Sequence, residues 1–171
     1  MDIVAHALWT NVAFIKNRKR WLAVLFGILP DILSFGPVFA YVILMGIKNW
    51  TEGFKVKWLL DYTTFTYGIT HSLLVFAVAY LIIYLMTKKK NVFLFGWLLH
   101  IIIDIPTHSK DFYPTPYLYP FKSPPVNGIS WGHPVFMIVN YSALILVYGF
   151  LTYKYFKNYK KVKTKNIKNT S

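Results

Sequence analysis

Five histidines and six acidic residues hold most of the chemistry available to this 171-residue chain. His6, His71, His100, His108 and His133 all lie in or at the edge of apolar stretches, as do the acids Asp31 and Asp104. An acid or an imidazole at membrane depth is costly unless it is paired or ligating. Leu99-His100-Ile101-Ile102-Ile103-Asp104 sets imidazole and carboxylate four residues apart, on one helix face with Cβ atoms about 5–6 Å apart. Such a pair can ligate one metal ion or close a His–Asp hydrogen bond. His108 joins the same stripe only if the helix passes Pro106, which proline disfavours. Gly96, one turn before His100, would let another helix approach closely.

Three further segments add to this pair. Pro30-Asp31 interrupts the first long apolar run; the proline predicts a kink or helix end, with Asp31 capping a restarted helix. Thr70-His71-Ser72 opens a later apolar stretch, and Asp2, His6 and Thr10 form a polar stripe on a short N-terminal helix. Taken singly, each has a plain structural reading: a cap, a buried hydrogen bond, an interfacial face. Together they place several imidazoles and two carboxylates in a low-dielectric setting, and neutral imidazole with carboxylate suits Zn²⁺, Mn²⁺ or Fe²⁺. The candidate metal ligands are therefore His6, Asp31, His71, His100 and Asp104, with His108 and His133 as weaker candidates.

The elements that must position these groups follow from composition. Hydrophobic residues make up 56% of the chain and charged residues 15%, against about 25% charged in a soluble domain. So much apolar surface cannot be hidden in one soluble core of this length. An all-α, multi-pass transmembrane bundle is expected, with about four spans and a short N-terminal helix over residues 1–15. The expected spans are residues 21–47, 68–86, 92–105 and 135–153; the third is short and carries His100 and Asp104. Residues 1–153 form the expected membrane domain, and 154–171 a basic, disordered tail. The N-terminus is not a signal peptide, because Asp2 precedes the apolar stretch and the basic cluster follows it. There is no cysteine, which excludes thiolate catalysis and Cys-based zinc sites.

Lys and Arg number 19 against six acids, a net charge of +13. Clusters at Lys16–Arg20, Lys88–Lys90 and Lys154–Lys168 hold 14 of these cations, each abutting an apolar run. With four crossings all three fall on one side, which predicts a cell-membrane protein with a cytoplasmic C-terminal tail. A nucleic-acid surface is not expected. The loop at 106–132 interleaves prolines with aromatics such as Tyr117, Tyr119 and Trp131. It reads either as an interfacial lid without chemistry or as a wall shaping access for a lipid-like substrate.

The ordered set Ala5-His6-Ala7-Leu8, Leu29-Pro30-Asp31-Ile32, Thr70-His71-Ser72-Leu73 and His100-x-x-x-Asp104 resembles the YdjM-like family of membrane-bound, metal-dependent hydrolases over roughly residues 1–110. More distantly, this order of His and Asp resembles the helical zinc-dependent phospholipase C and single-strand nuclease superfamily, in which His108 or His133 would serve additional metals. The short, proline-interrupted spacing from Asp104 to His108 and the few acids imply one or two ions rather than three. The resemblance implies a hydrolase that acts on a phosphodiester or other ester of an amphiphilic substrate. Its cofactor would be zinc, with Mn²⁺ or Fe²⁺ as alternatives, and Asp31 and Asp104 its catalytic carboxylates. Two other classes fit the residues: a metal or proton transporter, and a structural or regulatory membrane protein whose His–Asp pairs lock helices together.

Overall fold

The computed structural model describes residues 1–48, 50–111 and 113–169, with side chains as far as Tyr159 except Trp50. The described residues are helical with no strand: α1 (Ile3–Ala13), α2 (Arg20–Leu44), α3 (Lys57–Thr70), α4 (Leu73–Thr87), α5 (Phe95–Thr107) and α6 (Pro134–Asn169). Short 3-10 turns at Trp50–Lys55 and Val92–Leu94 precede α3 and α5. The backbone divides into two compact units, Met1–His133 and Pro134–Ser171. The second unit contains the single helix α6, which carries helical backbone through the basic stretch to Asn169. The boundary that charge alone suggests lies at residue 154. The side chains of the tail beyond Tyr159, and the last two residues, lie outside the described part.

Among the described residues the helices do not confirm four crossings. Two, α2 and Pro134–Tyr159 of α6, are long and apolar enough to cross a membrane; a third crossing is available only if α3 and α4 count as one span bent by 62°. The expected span at 68–86 is therefore broken at His71-Ser72, where His71 ends α3 and Ser72 caps α4 by accepting from Val75 N–H. The expected span at 92–105 becomes α5, 13 residues or about 20 Å long, too short for a hydrocarbon core of about 30 Å. Residues 57–67, read from sequence as loop, belong to α3; Leu59, Thr63, Tyr67 and Thr70 form its buried stripe.

The first unit is built around α2, which packs against α1, α3 and α5. Its buried residues Ala23, Gly27, Pro30, Ser34, Val38 and Val42 recur every three or four positions, a stripe of small side chains of the kind that brings membrane helices together. The helix runs unbroken through Pro30 and Pro37, contrary to the break expected at Pro30-Asp31. Membrane helices tolerate proline when neighbours take up the freed backbone groups. Here the Leu33 carbonyl, left without its usual donor by Pro37, accepts from the Tyr62 hydroxyl of α3 at 3.1 Å. Pro106 likewise lies inside α5, and His108 caps that helix, its N–H donating to the Asp104 carbonyl at 3.1 Å.

Two glycines set the closest approaches. A Cβ at Gly27 would stand 2.5 Å from the Thr10 hydroxyl of α1, and one at Gly96 would collide with the Ala23 carbonyl of α2. Phe76, Leu94 and Ile101 form an apolar cluster joining α4 and α5, with Phe26 of α2 and Trp97 against it. Elsewhere the interior mixes apolar side chains such as Leu59 and Val38 with many polar ones. The largest fully buried side chains include His6, His71, His100, Asp104, Thr10, Thr63, Ser34 and Ser72. Outside, α2 and α4 expose Leu25, Leu33, Phe39, Val78, Leu81, Ile82 and Leu85. An apolar outside over an interior with many polar groups is the arrangement a lipid surround favours.

The loop after α5 is tied down. Gly128, Ile129 and Trp131 N–H donate to the carbonyls of His108, Pro106 and Thr107 at 2.9–3.0 Å. On its other side, Leu73 N–H donates to Tyr117 O at 3.0 Å and the Ser72 hydroxyl to Tyr119 O at 2.7 Å. Basic clusters one and two meet at one end of this unit, where Arg18, Lys19 and Lys90 line a common depression of about 290 Å³.

The backbone contact at Gly96 generates a stability prediction. Gly96→Ala forces α2 and α5 apart and is expected to cost roughly 1–3 kcal/mol. Gly36→Ala, whose new methyl meets nothing nearer than an Ile32 carbon at 3.9 Å, should cost nothing. Thermal denaturation of the purified variants in detergent compares them; equal midpoints would refute the tight α2–α5 crossing.

Candidate metal centre

Four side chains from three places in the fold converge on one buried cluster. Asp31 comes from the middle of α2, His71 from the α3–α4 joint, and His100 and Asp104 from one face of α5. One ligand atom from each lies within 4.8 Å of the others. His71 and His100 Nε2 are 3.0 Å apart; Asp31 Oδ1 stands 3.6 and 3.7 Å from them, and Asp104 Oδ2 3.4 and 3.2 Å. Four donors at about 2.1 Å around a tetrahedral ion are about 3.4 Å from one another, so these five separations match five of the six edges of such a site; the sixth, between Asp31 and Asp104, is within 4.8 Å.

Hydrogen bonding fixes which ring nitrogens face inward. The Gly27 carbonyl lies 2.7 Å from His100 Nδ1, so that nitrogen donates, and a neutral ring then presents the lone pair of Nε2 to the cluster. His71 Nδ1 lies 2.9 Å from the Thr70 hydroxyl, which itself donates to Thr66 O. His71 Nδ1 is therefore the donor toward Thr70. Two imidazole lone pairs 3.0 Å apart, flanked by two carboxylates, repel in the absence of a cation. The Asp104 Oδ2 atom facing them is buried and makes no hydrogen bond among the described residues. The donor set fits a divalent metal, with the second ring nitrogens held as ligating histidines usually are.

The other oxygen of Asp104 faces a different group. His6 Nε2 is 2.9 Å from Oδ1 and His108 Nε2 3.5 Å. The Met1 amino group donates to the same oxygen and lies 3.2 Å from His108 Nε2. His6 stacks on His100 with ring centroids 3.8 Å apart, and its Nδ1 makes no hydrogen bond among the described residues. His108 Nδ1 lies 2.7 Å from the Tyr113 carbonyl, which also accepts from the Tyr67 hydroxyl at 2.8 Å. Tyr113 has φ of 44°, the left-handed region that an aromatic residue seldom adopts. Its phenol, partly buried, is held above the usual tyrosine range by that burial.

Of the residues singled out in the sequence, His6, Asp31, His71, His100, Asp104 and His108 come together, although only Asp31, His71, His100 and Asp104 share one ligand set. His133 is exposed, at the last position of this unit. Among the cluster residues Asp31 keeps the most access, 13% exposed against 4% for His108 and none for His71, His100 and Asp104.

The sequence model of one family, described as YdjM inner membrane protein, matches residues 3–167. The chain belongs to this family. No curated protein and no solved structure matches it. The resemblance to the YdjM-like family is thus established, and with it an inner-membrane protein.

For this YdjM family member, sequence reading missed the residues that orient the cluster: Gly27, Tyr67 and Thr70, the last in contact with the Ser34 hydroxyl at 3.0 Å. Tyr67 and Thr70 were legible in principle, because Thr70 adjoins His71 and Tyr67 precedes it by one turn; Tyr67 stacks on His71 at 3.8 Å. The Gly27 carbonyl carries no side-chain signal.

The hydrogen bond from His71 Nδ1 generates a prediction that separates orientation from ligation. Thr70→Val should retain the helical circular-dichroism spectrum and lower zinc affinity roughly 10–100-fold, while His71→Ala should retain no zinc after dialysis. Elemental analysis of both beside wild type decides; wild-type affinity in Thr70→Val would refute the orienting role.

Proposed function

We propose that the protein is a membrane-embedded, metal-dependent hydrolase of phosphodiesters or related esters in an amphiphilic substrate. The observation that carries this reading is the set of four donor atoms from α2, the α3–α4 joint and α5, spaced like the corners of a tetrahedral site. Zinc is the preferred ion, with Mn²⁺ and Fe²⁺ as alternatives. Held by three of these donors, with the position beside Asp31 open to water, such an ion would lower that water's pKa toward neutrality and polarise a phosphoryl or carbonyl oxygen.

The chain's own residues supply the rest. His71 and His100 are pinned through Nδ1 and keep their lone pairs inward. Asp104 offers one oxygen to this set and is held at the other by His6 and the Met1 amino group. A second ion, if bound, would be held by Asp104 together with His6 and His108. Asp31 is the member with access to the outside and would accept a proton from an attacking water. As topology we propose that the basic clusters and the C-terminal tail face the cytoplasm.

Transport is the second reading, because buried His–Asp chains also relay ions. The described cluster favours hydrolysis over transport in one respect: three of its four members are fully buried, which suits a retained ion better than one in transit.

The test uses bis(p-nitrophenyl) phosphate and purified protein in detergent. Activity should vanish on chelation, return with Zn²⁺ or Mn²⁺, and fall at least 100-fold in His100→Ala and Asp104→Ala with metal content lost in parallel. Wild-type metal content in both variants would overturn the site, and metal-driven flux across proteoliposomes without hydrolysis would replace the hydrolase by a transporter.

A further inference from the structure

A cavity of about 430 Å³ opens beside the cluster, within the range of ligand sites of roughly 300–1,000 Å³. Its polar end is formed by Asp31 and His108, which belong to the cluster, together with Met1 and Asp2. From there it follows one face of α2, past Ile32, Phe35, Gly36 and Phe39. These four have the spacing of a single helical stripe. Trp131 of the tied-down loop closes the other wall. Ile32 is 42% and Phe39 48% exposed, so the groove is open along its flank.

We propose that this groove is the binding track for the single hydrocarbon chain of an amphiphile whose anionic head sits at Asp31 and His108. This deepens the hydrolase reading and rests on it at the head end, since Asp31 and Asp2 repel an anion unless a divalent ion lies between. The apolar walls carry the other half independently. α2 is one of the helices long enough to cross the membrane, so a flank open along it receives a chain sideways from lipid. From Asp31 to Phe39 the helix advances about 12 Å, the length of a staggered chain of roughly nine to ten carbons.

Gly36 sets the width of the track. A Cβ there touches only Ile32, at 3.9 Å, so a larger side chain enters empty groove rather than a neighbouring helix. Gly36→Leu therefore folds and fills the track, and Phe39→Ala lengthens it.

The experiment measures equilibrium binding of butyl-, hexyl-, octyl- and dodecylphosphonate to zinc-loaded protein held in amphipol, with empty amphipol as the blank. In the wild type, affinity should rise about fourfold per added carbon through octyl and level off between octyl and dodecyl. In Gly36→Leu the rise beyond butyl should disappear while butylphosphonate affinity and zinc content stay unchanged. In Phe39→Ala the levelling should move toward dodecyl. Equal chain-length dependence in wild type and Gly36→Leu overturns the track, and tighter binding of dioctylphosphinate than of octylphosphonate overturns the single chain. Alkyltrimethylammonium ions of the same lengths separate the two ideas. If they bind better than the phosphonates and still lose their chain dependence in Gly36→Leu, the track stands and the metal reading of its head falls.

Discussion

Carboxylates and imidazoles shut away from water repel or attract one another far more strongly than they would outside, and the first unit of this protein is organised by that fact. His71 and His100 present Nε2 atoms to each other at 3.0 Å, with Asp31 and Asp104 alongside. Each outward nitrogen of this pair is held by a backbone carbonyl or a threonine hydroxyl. Such a set persists in a low dielectric only if positive charge balances it. The small-residue stripe of α2, the glycines that let α1 and α5 close on it, and the joint between α3 and α4 all bring these groups together.

The helix joint at His71-Ser72 shows how local chemistry overrides length. From its apolar run alone, residues 68–86 read as one crossing. Ser72 instead caps α4, leaving His71 at the end of α3, where its ring lies flat against Tyr67 and its Nε2 reaches the cluster. A histidine inside a straight helix would be confined to that helix's own face; at a 62° bend it projects into the space between two. Pro30 works the other way. In the sequence it predicts a kink or helix end, and yet α2 continues past it and keeps Asp31 in register with the stripe that meets α5. Proline costs a helix its donor, but a neighbouring hydroxyl can take the orphan carbonyl, as Tyr62 does for Leu33.

These cases mark what was legible in the sequence. The residues of the cluster were, because ionisable side chains are conspicuous among leucines and isoleucines, and because His100 and Asp104 share a helix face by spacing alone. Gly96 as a point of close approach was legible for the same reason. The number of crossings was not. Apolarity was distributed over segments that α5 is too short to use as a span and that α3 and α4 divide between them. Residues 57–67 passed for a loop because Lys57 and Asp61 interrupt the apolar pattern, although they pair with each other at 2.7 Å on the outside of α3. The carbonyl of Gly27 and the turned carbonyl of Tyr113 were invisible, since backbone atoms leave no trace in residue identity.

The seam between α5 and residues 128–131 has a consequence for traffic. Three successive carbonyls at the end of α5 are capped by that strand of chain, and peeling it away in apolar surroundings would strand all three without donors. The roof over His108 is therefore a fixture, not a door. The described opening onto Asp31 is the flank beside Ile32 and Phe39, so that, on the function proposed above, release of a product would be a partition between protein and hydrocarbon rather than an escape into water.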